Sequence, residues 1–132
     1  ENQAIGSGLV GELATPLAEE AFLQLLKSRF GLSVIRHTAL LGRPVQKIAL
    51  CGGAGAFLAD AARAAGADFY VTSDIKYHEF FDAEDRLVIA DIGHYESEQF
   101  TTELLFAILT QKFPTFAVLK TGVKTNPVRY FL

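Results

Sequence analysis

The sequence predicts an α/β fold, in which a largely parallel or mixed β-sheet is covered by helices. Apolar segments short enough to be strands alternate with segments of helical period. The strand candidates are residues 45–51, 68–72 and 87–92, and the helix candidates that follow them are residues 56–65, 75–83 and 95–112. Strands that are largely apolar, without a regular polar alternation, are typical of a parallel sheet buried on both faces. Because 132 residues is an ordinary domain size, we expect one α/β domain over residues 1–132.

The amino-terminal part of the chain predicts a leading linker, a strand, a helix and a second strand. These are residues 1–8, 9–13, 15–31 and 32–38. The helix is placed by its ends, because Thr15 is a typical N-cap, Pro16 suits the first helical position and Gly31 is a typical terminator. After the last helix candidate, residues 116–119 predict a final central strand and residues 126–132 an edge strand.

Composition limits the classes of function. Half of the residues are hydrophobic and a fifth are charged, so the chain can bury a core. The net charge of -3 gives no basic surface for nucleic acid, and the apolar runs are too short to span a membrane. The single cysteine, Cys51, fits a core position and a reducing, cytoplasmic compartment. Since the chain begins at Glu1 and contains no Met, we expect a piece of a longer protein.

Three consecutive strand-to-helix turns carry unusual residues, and in a parallel sheet all three would lie at one edge. They are residues 51–55, 72–78 and 93–98. In the first turn, the backbone of Gly52, Gly53 and Gly55 could contact a phosphate or another anion, with Lys76 of the second turn as a further anion-binding candidate. The alternative for the glycines is that they only let the next helix pack closely on its strand.

The second and third turns each pair an imidazole with a carboxylate four residues away. His94 and Glu98 would lie at the mouth and in the first turn of a helix, where both could bind one metal ion. Asp74 and His78 repeat the spacing in reverse order. Each has a plainer interpretation, since Asp74 could be a helix N-cap, His78 a partly buried imidazole and Glu98 an acid that favours the helix dipole. Glu96 is a rival ligand.

Four stretches of the sequence carry a family resemblance. They are Gly-Ser-Gly-Leu-Val-Gly-Glu-Leu at residues 6–13, Cys-Gly-Gly-Ala-Gly at 51–55, Ala-Asp-Phe-Tyr-Val-Thr-Ser-Asp at 67–74 with Lys-Tyr-His at 76–78, and Ala-Asp-Ile-Gly-His-Tyr-Glu-Ser-Glu at 90–98. The chain resembles the dinuclear-metal-centre family from residue 6 to its end. Members of that family are named GTP cyclohydrolase I type 2 homologues or relatives of a yeast transcription-adaptor-interacting factor.

The resemblance implies a two-lobed α/β fold with two divalent metal ions, zinc or iron-type, in the cleft between the lobes. It assigns metal binding to His94 and Glu98, and it places Asp74 and His78 in the same pocket as candidate catalytic residues. The family's usual Thr-Gly-Asp is Thr-Ser-Asp here, which keeps the Asp. The family's His-His pair is missing from this sequence, which implies the carboxyl-terminal half. We expect that half alone to bind metal weakly or not at all and to be inactive.

Two functions compete. The first is a metal-dependent hydrolase that acts on GTP or another phosphorylated small molecule. The second is a metal-binding scaffold or regulatory protein that acts through protein partners. For the complete protein, the resemblance implies a homo-oligomer, up to a ring-shaped hexamer. A third possibility is an α/β domain whose polar edge residues only cap helices, and the two imidazole–carboxylate pairs argue against it. We interpret His37, alone in a strand candidate, as structural or as part of another surface.

Overall fold

The computed structural model describes residues 6–131, and the chain divides into two compact units between Ser97 and Glu98. The first five residues of the predicted linker lie outside this range. The strands are β1 (Leu9–Leu17), β2 (Arg36–His37), β3 (Val45–Ala54), β4 (Phe69–Ser73) and β5 (Val88–Asp91). The α-helices are α1 (Glu19–Phe30), α2 (Ala59–Ala64), α3 (His94–Glu98) and α4 (Thr101–Lys112), and 3₁₀ helices cover Ala56–Leu58 and Tyr77–Ala83.

The first unit is built on one five-stranded mixed sheet with the order β1-β3-β4-β5-β2. The three central strands, β3, β4 and β5, are parallel, whereas β1 and β2 run antiparallel at the two edges. Parallel neighbours need crossover segments between them, and the helical segments between β3, β4 and β5 supply these. The predicted α/β class with a mixed sheet is therefore confirmed.

Each face of the sheet packs against a helix. On one face, Phe22 of α1 meets Phe69 of β4 edge-on, with ring centroids 4.9 Å apart. On the other face, Ala59 and Ala62 of α2 belong to one apolar cluster with Tyr70. Side chains alternate across a strand, so the consecutive residues Phe69 and Tyr70 enter opposite clusters. Because both faces are covered, β4 and β5 are buried along their whole length, which explains why both strands begin with three consecutive apolar or aromatic residues.

The first helix begins later than its sequence signals indicate. Thr15 and Pro16 lie inside β1, and the N-cap of α1 is Ala18, so the predicted helix start is wrong. β1 is an edge strand, where a proline without an N–H is tolerated because its outer side has no partner strand. The predicted end is confirmed, because Gly31 closes α1 with a left-handed φ of 65°.

The predictions for β2 and β3 also need correction. Of residues 32–38, only Arg36 and His37 form a strand, and this strand pairs antiparallel with β5. The glycine-rich residues 52–54 extend β3 beyond a register shift instead of forming a free turn. The helix that follows is correspondingly short, with one 3₁₀ turn before the six residues of α2.

The single helix predicted over residues 95–112 is wrong. The structure has two helices there, α3 and α4, separated by Gln99 and Phe100. Neither glycine nor proline marks this interruption, so the residue types that usually signal a helix end are missing. The break places Glu98 at the last position of α3.

The carboxyl-terminal strands predicted at residues 116–119 and 126–132 are also wrong. Between α4 and residue 131 the described chain forms no strand, and residue 132 lies outside the described range. Phe116 and Leu119 are exposed, so this apolar run is not a buried strand. Asn126 Oδ1 accepts the Val128 N–H over 3.0 Å, a local bond that turns the backbone. No helix among residues 6–131 has the length and apolar character needed to cross a membrane.

Candidate functional site

The parallel strands β3, β4 and β5 end at one edge of the sheet, and the residues around their ends are in contact. His94 Nδ1, after β5, donates to Asp74 Oδ2, after β4, over 2.6 Å. The Gly53 N–H, near the end of β3, donates to Ser97 Oγ of α3 over 2.8 Å. The predicted convergence of the three turns is therefore confirmed.

Asp74 turns the chain directly after β4. Its φ of 57° lies in the left-handed region, which is uncommon outside glycine and is tolerated best by Asp and Asn. The N-cap of the following 3₁₀ helix is Lys76, so the plainer interpretation of Asp74 as that cap is wrong. The side chains of Asp74 and His94 are each about half exposed, which lets solvent weaken their charge interaction. The main effect of the hydrogen bond from the imidazole to the carboxylate is to fix the orientation of the His94 ring.

Asp91 is a buried carboxylate at the end of β5 that sequence reasoning did not assign. Only 5% of it is exposed, and it has donors from three separate segments. The Ile75 N–H donates to Oδ2 and the Gly93 N–H donates to Oδ1, each over 3.0 Å. The Arg36 guanidinium forms a hydrogen-bonded ion pair with Oδ2. A buried carboxylate needs hydrogen-bond donors of this kind. The one sequence signal for this role was an Asp at the end of an apolar strand.

His78 and Lys76 do not join the Asp74–His94 pair. The helix predicted at residues 75–83 is a 3₁₀ helix that starts only at Tyr77, and His78 is exposed on it. Within residues 6–131 no hydrogen bond or ion pair joins His78 to Asp74. Lys76 instead pairs with Glu79, whose carboxylate accepts the Lys76 N–H over 2.7 Å and lies 3.9 Å from its Nζ. The structure therefore joins Asp74 to His94 and not to His78.

The glycine segment is used for packing inside the fold. The Gly53 N–H donates to Ser97, and the Gly53 carbonyl accepts the Thr72 hydroxyl over 3.1 Å. At Gly55, a Cβ atom would clash with the hydroxyls of Thr72 and Tyr70. The helical segment that follows opens with a single 3₁₀ turn, so it offers no extended helix terminus to an anion. These contacts favour the close-packing interpretation of Gly53 and Gly55 over phosphate contact, while Gly52 is exposed.

Tyr70 is buried beneath this segment. Its hydroxyl donates to the Gly55 carbonyl over 2.6 Å. Burial raises the pKa of Tyr70 to about 12, because the charged phenolate would lose its hydration. Cys51 lies in the same apolar cluster, which confirms it as a core residue. His37, in contrast, is exposed on β2, with Nδ1 2.7 Å from the Thr38 carbonyl oxygen.

The predicted metal ligands His94 and Glu98 are the first and last residues of α3. Both are exposed, and Glu96 between them is partly buried. Among residues 6–131, no group of three or more His, Cys, Asp or Glu side chains is placed to hold a metal ion. The donor set of an imidazole and carboxylates suits zinc or iron-type ions. It offers fewer protein ligands than such a site requires.

The chain is similar to proteins and structures of one family. The model of the Duf34/NIF3 (NGG1p interacting factor 3) family matches residues 1–127. A GTP cyclohydrolase 1 type 2 homolog of Staphylococcus epidermidis is 30% identical over 95% of this chain and 35% of its own length. One of Streptococcus pneumoniae is 33% identical over 95% of this chain and 50% of its own length.

Two crystal structures have the same fold. A Staphylococcus aureus protein superposes with a TM-score of 0.85 at 28% identity, over 94% of this chain and 42% of its own. A Bacillus cereus protein related to NIF3 superposes with a TM-score of 0.79 at 28% identity, over 96% of this chain and 36% of its own. The chain thus spans a third to a half of the length of these relatives. Because the family model covers nearly all of its residues, the chain belongs to the Duf34/NIF3 family.

Proposed function

We propose that this chain supplies part of the metal site of a metal-dependent hydrolase. The hydrogen bond from His94 Nδ1 to Asp74 Oδ2 carries the proposal. A metal-binding histidine usually donates its other ring N–H to a carboxylate or carbonyl, which fixes its tautomer and orientation. With Nδ1 donating to Asp74, the nitrogen of His94 that would bind a zinc or iron-type ion is Nε2.

Glu98 is the second proposed ligand, one helical turn after His94 on α3. Two side chains do not complete a site, because zinc sites commonly use three or four protein ligands. The chain covers only 35% of its Staphylococcus epidermidis relative. We therefore propose that the other ligands, and those of a second ion, come from a part of the complete protein outside this chain. The chain alone would bind metal weakly or not at all.

The proposed substrate is GTP or another phosphorylated small molecule, in keeping with the name GTP cyclohydrolase 1 type 2 homolog that the relatives carry. When bound, the metals would activate a water molecule and polarise the oxygen of the group under attack. Asp74 would keep the proton on His94 Nδ1 and hold the ring in place. His78, exposed on the segment after Asp74, would be the candidate acid or base.

Metal analysis tests the ligand assignment. We would measure zinc and iron by mass spectrometry in the complete protein and in its His94→Ala and Glu98→Ala variants. His37→Ala is the matched control, because it also removes an exposed imidazole but from β2. Both ligand variants should lose most of the metal while the control keeps it. If both variants keep the full metal load, the ligand assignment is wrong.

The second candidate function is a metal-binding scaffold that acts through protein partners, including further copies of itself up to a hexamer. The observation that favours it is α4, which buries none of its twelve residues. Leu104, Leu105 and Ile108 are all exposed on this helix, and exposed apolar patches commonly mark protein interfaces. We place either function in the cytoplasm, where a free buried Cys51 stays reduced.

Turnover separates the two functions. We would assay hydrolysis of GTP and of a panel of phosphoesters by the complete protein, before and after removal of its metal with a chelator. Turnover that disappears with the metal and returns with it supports the hydrolase. Tight metal binding without turnover, together with a mass above the monomer in light scattering, supports the scaffold.

A further inference from the structure

We propose that Asp91 is a positioning residue whose buried carboxylate sets the geometry of the Asp74–His94 pair. Asp91 is not among the residues that the sequence predicts for the site, and the proposed metal chemistry does not use it directly. The inference rests on the proposed function for its effect on metal binding, because His94 of this pair is a proposed metal ligand.

The Asp91 carboxylate accepts hydrogen bonds from two backbone N–H groups, one beside each member of the pair. Ile75, whose N–H donates to Oδ2, directly follows Asp74. Gly93, whose N–H donates to Oδ1, directly precedes His94. Each member of the pair is therefore one peptide unit away from an amide that the same carboxylate holds.

This carboxylate is itself fixed from a third direction. Arg36 of β2 lies opposite Asp91 in the sheet register and forms the ion pair with its Oδ2. The same guanidinium donates to the Ile75 carbonyl over 3.0 Å and lies over the Phe80 ring at 5.4 Å from the ring centroid. The segment after Asp74 is thus held at both the N–H and the C=O of Ile75.

The backbone of Asp74 needs such support, because its left-handed φ of 57° is strained for a residue with a Cβ. A strained conformation persists only when its surroundings impose it. The bond from the Ile75 N–H to Asp91 follows immediately after the strained residue. Without it, we expect the segment to relax and carry the Asp74 carboxylate away from His94.

Asp91→Asn removes this support while changing almost no volume. An asparagine side chain has one acceptor oxygen and one NH2 group, which is only a donor. If the NH2 replaces Oδ1, it faces the Gly93 N–H, and if it replaces Oδ2, it faces the Ile75 N–H and Arg36. Either orientation frees at least one of the two segments.

The test is an NMR measurement of the protonation and hydrogen bonding of the His94 ring nitrogens. Long-range ¹H–¹⁵N correlation spectra at one fixed pH report the tautomer and hydrogen bonding of each ring nitrogen. The chain has three histidines, so His37 and His78 serve as internal references in the same spectrum. In Asp91→Asn, we expect the hydrogen-bonded Nδ1 signature of His94 to be lost while the other two rings keep theirs.

Asp68→Asn is the matched control for a merely structural role. Asp68 Oδ2 also accepts two backbone amides, those of Gln46 and Lys47 over 2.9 and 2.8 Å, and its other oxygen lies 3.7 Å from Arg43 Nε. This variant should lower the melting temperature yet leave the His94 ring signals unchanged. If Asp91→Asn also leaves them unchanged, Asp91 serves only stability and the proposal is overturned.

Arg36→Gln keeps the test decisive if Asp91→Asn does not fold. Removal of Arg36 takes an ion-pair partner from the buried Asp91 carboxylate, but the two backbone amides still hold that carboxylate, so we expect this variant to be less stable than the wild type yet folded. It should shift the His94 Nδ1 signals in the same direction by a smaller amount. Unchanged His94 signals in a folded Arg36→Gln variant would count against the proposal.

Metal binding by the complete protein separates this inference from the proposed function. If His94 binds metal, Asp91→Asn should weaken metal affinity by about 10-fold or more, as loss of an orienting partner does. A changed His94 ring in a protein whose metal content is independent of His94 would refute the proposed site and leave the positioning role supported. An unchanged His94 ring in a protein that binds metal through His94 would refute the positioning role and leave the proposed site supported.

Discussion

Ser97 and Gly53 are joined by a hydrogen bond in which the Gly53 N–H donates to Ser97 Oγ over 2.8 Å. The same hydroxyl donates to the His94 carbonyl over 2.8 Å. One small side chain therefore ties the helix that carries His94 to the end of β3, and Gly53 itself is buried.

We predict that Ser97→Ala destabilises the chain by about 1–3 kcal/mol, because the buried Gly53 N–H loses its acceptor. Urea denaturation gives the free energy of unfolding. The control is Ser28→Ala, since Ser28 Oγ donates to the Leu25 carbonyl on the exposed side of α1. It should change the stability by less than about 0.5 kcal/mol. Equal effects in the two variants would contradict the structural role of Ser97.

Gly55→Ala should destabilise the chain strongly, because its Cβ would clash with the hydroxyls of Thr72 and Tyr70. Overpacking of a buried site typically costs about 1–3 kcal/mol and sometimes more. Gly11→Ala is the matched control, since a Cβ there meets only Leu9 Cδ1 at 3.9 Å. Thermal unfolding should show a large drop for the first variant and little change for the second. Similar melting temperatures would show that a Cβ at residue 55 fits beside Thr72 and Tyr70 without a clash.

Two neighbouring buried hydroxyls in β4 should respond in opposite ways. Ser73 Oγ has no hydrogen-bond partner among residues 6–131, whereas the Thr72 hydroxyl donates to the Gly53 carbonyl. Ser73→Ala removes an unpaired polar group, so stability should be unchanged or higher by about 1 kcal/mol. Thr72→Val leaves the Gly53 carbonyl without this donor and should cost about 1–3 kcal/mol. Chemical denaturation of both variants checks this, and a loss of equal size would refute the contrast.

Alkaline pH should weaken the fold through Tyr70. Burial raises the pKa of Tyr70 from 10.0 to about 12, so the folded chain holds this proton more tightly than the unfolded chain. The resulting stabilisation is fully present below pH 10 and is lost as the pH rises through about 12, a change of about 3 kcal/mol.

Tyr70→Phe isolates this contribution. The free energies of unfolding of the wild-type and variant chains should be compared from about pH 8 to about pH 12. The advantage of the wild-type chain over Tyr70→Phe should shrink across the upper part of that range. A constant difference would show that folding does not raise the pKa of Tyr70.

Much of the central sheet was predictable from the sequence. The apolar segments predicted at residues 68–72 and 87–92 correspond to β4 and β5 within one or two residues. Strands buried on both faces carry no polar alternation, so their ends are sharp in the sequence. The bounds of the edge strands were not predictable in the same way. Thr15 and Pro16 satisfy the rules for a helix start, yet an edge strand accommodates them equally well.

The candidate site was predictable in its location but not in its contacts. The spacing between Asp74 and His78 has meaning only on a continuous helix. The left-handed Asp74 and the extended Lys76 keep that segment out of a helix. The partner of Asp74 is His94, from the next strand end. Likewise, two of the donors to Asp91, the Ile75 N–H and the Arg36 guanidinium, come from segments that are distant in the sequence, and no local pattern could have joined them to it.

The edge position of β1 also bears on aggregation. An edge strand offers unpaired amides to strands of other molecules, and Leu9 and Val10 at its start are exposed. Further along, Glu12 places a charge on the edge, 3.8 Å from Lys47, and Pro16 removes an amide altogether. A foreign strand could therefore extend the sheet only along the first few residues of β1, which makes this edge a poor template for fibril growth.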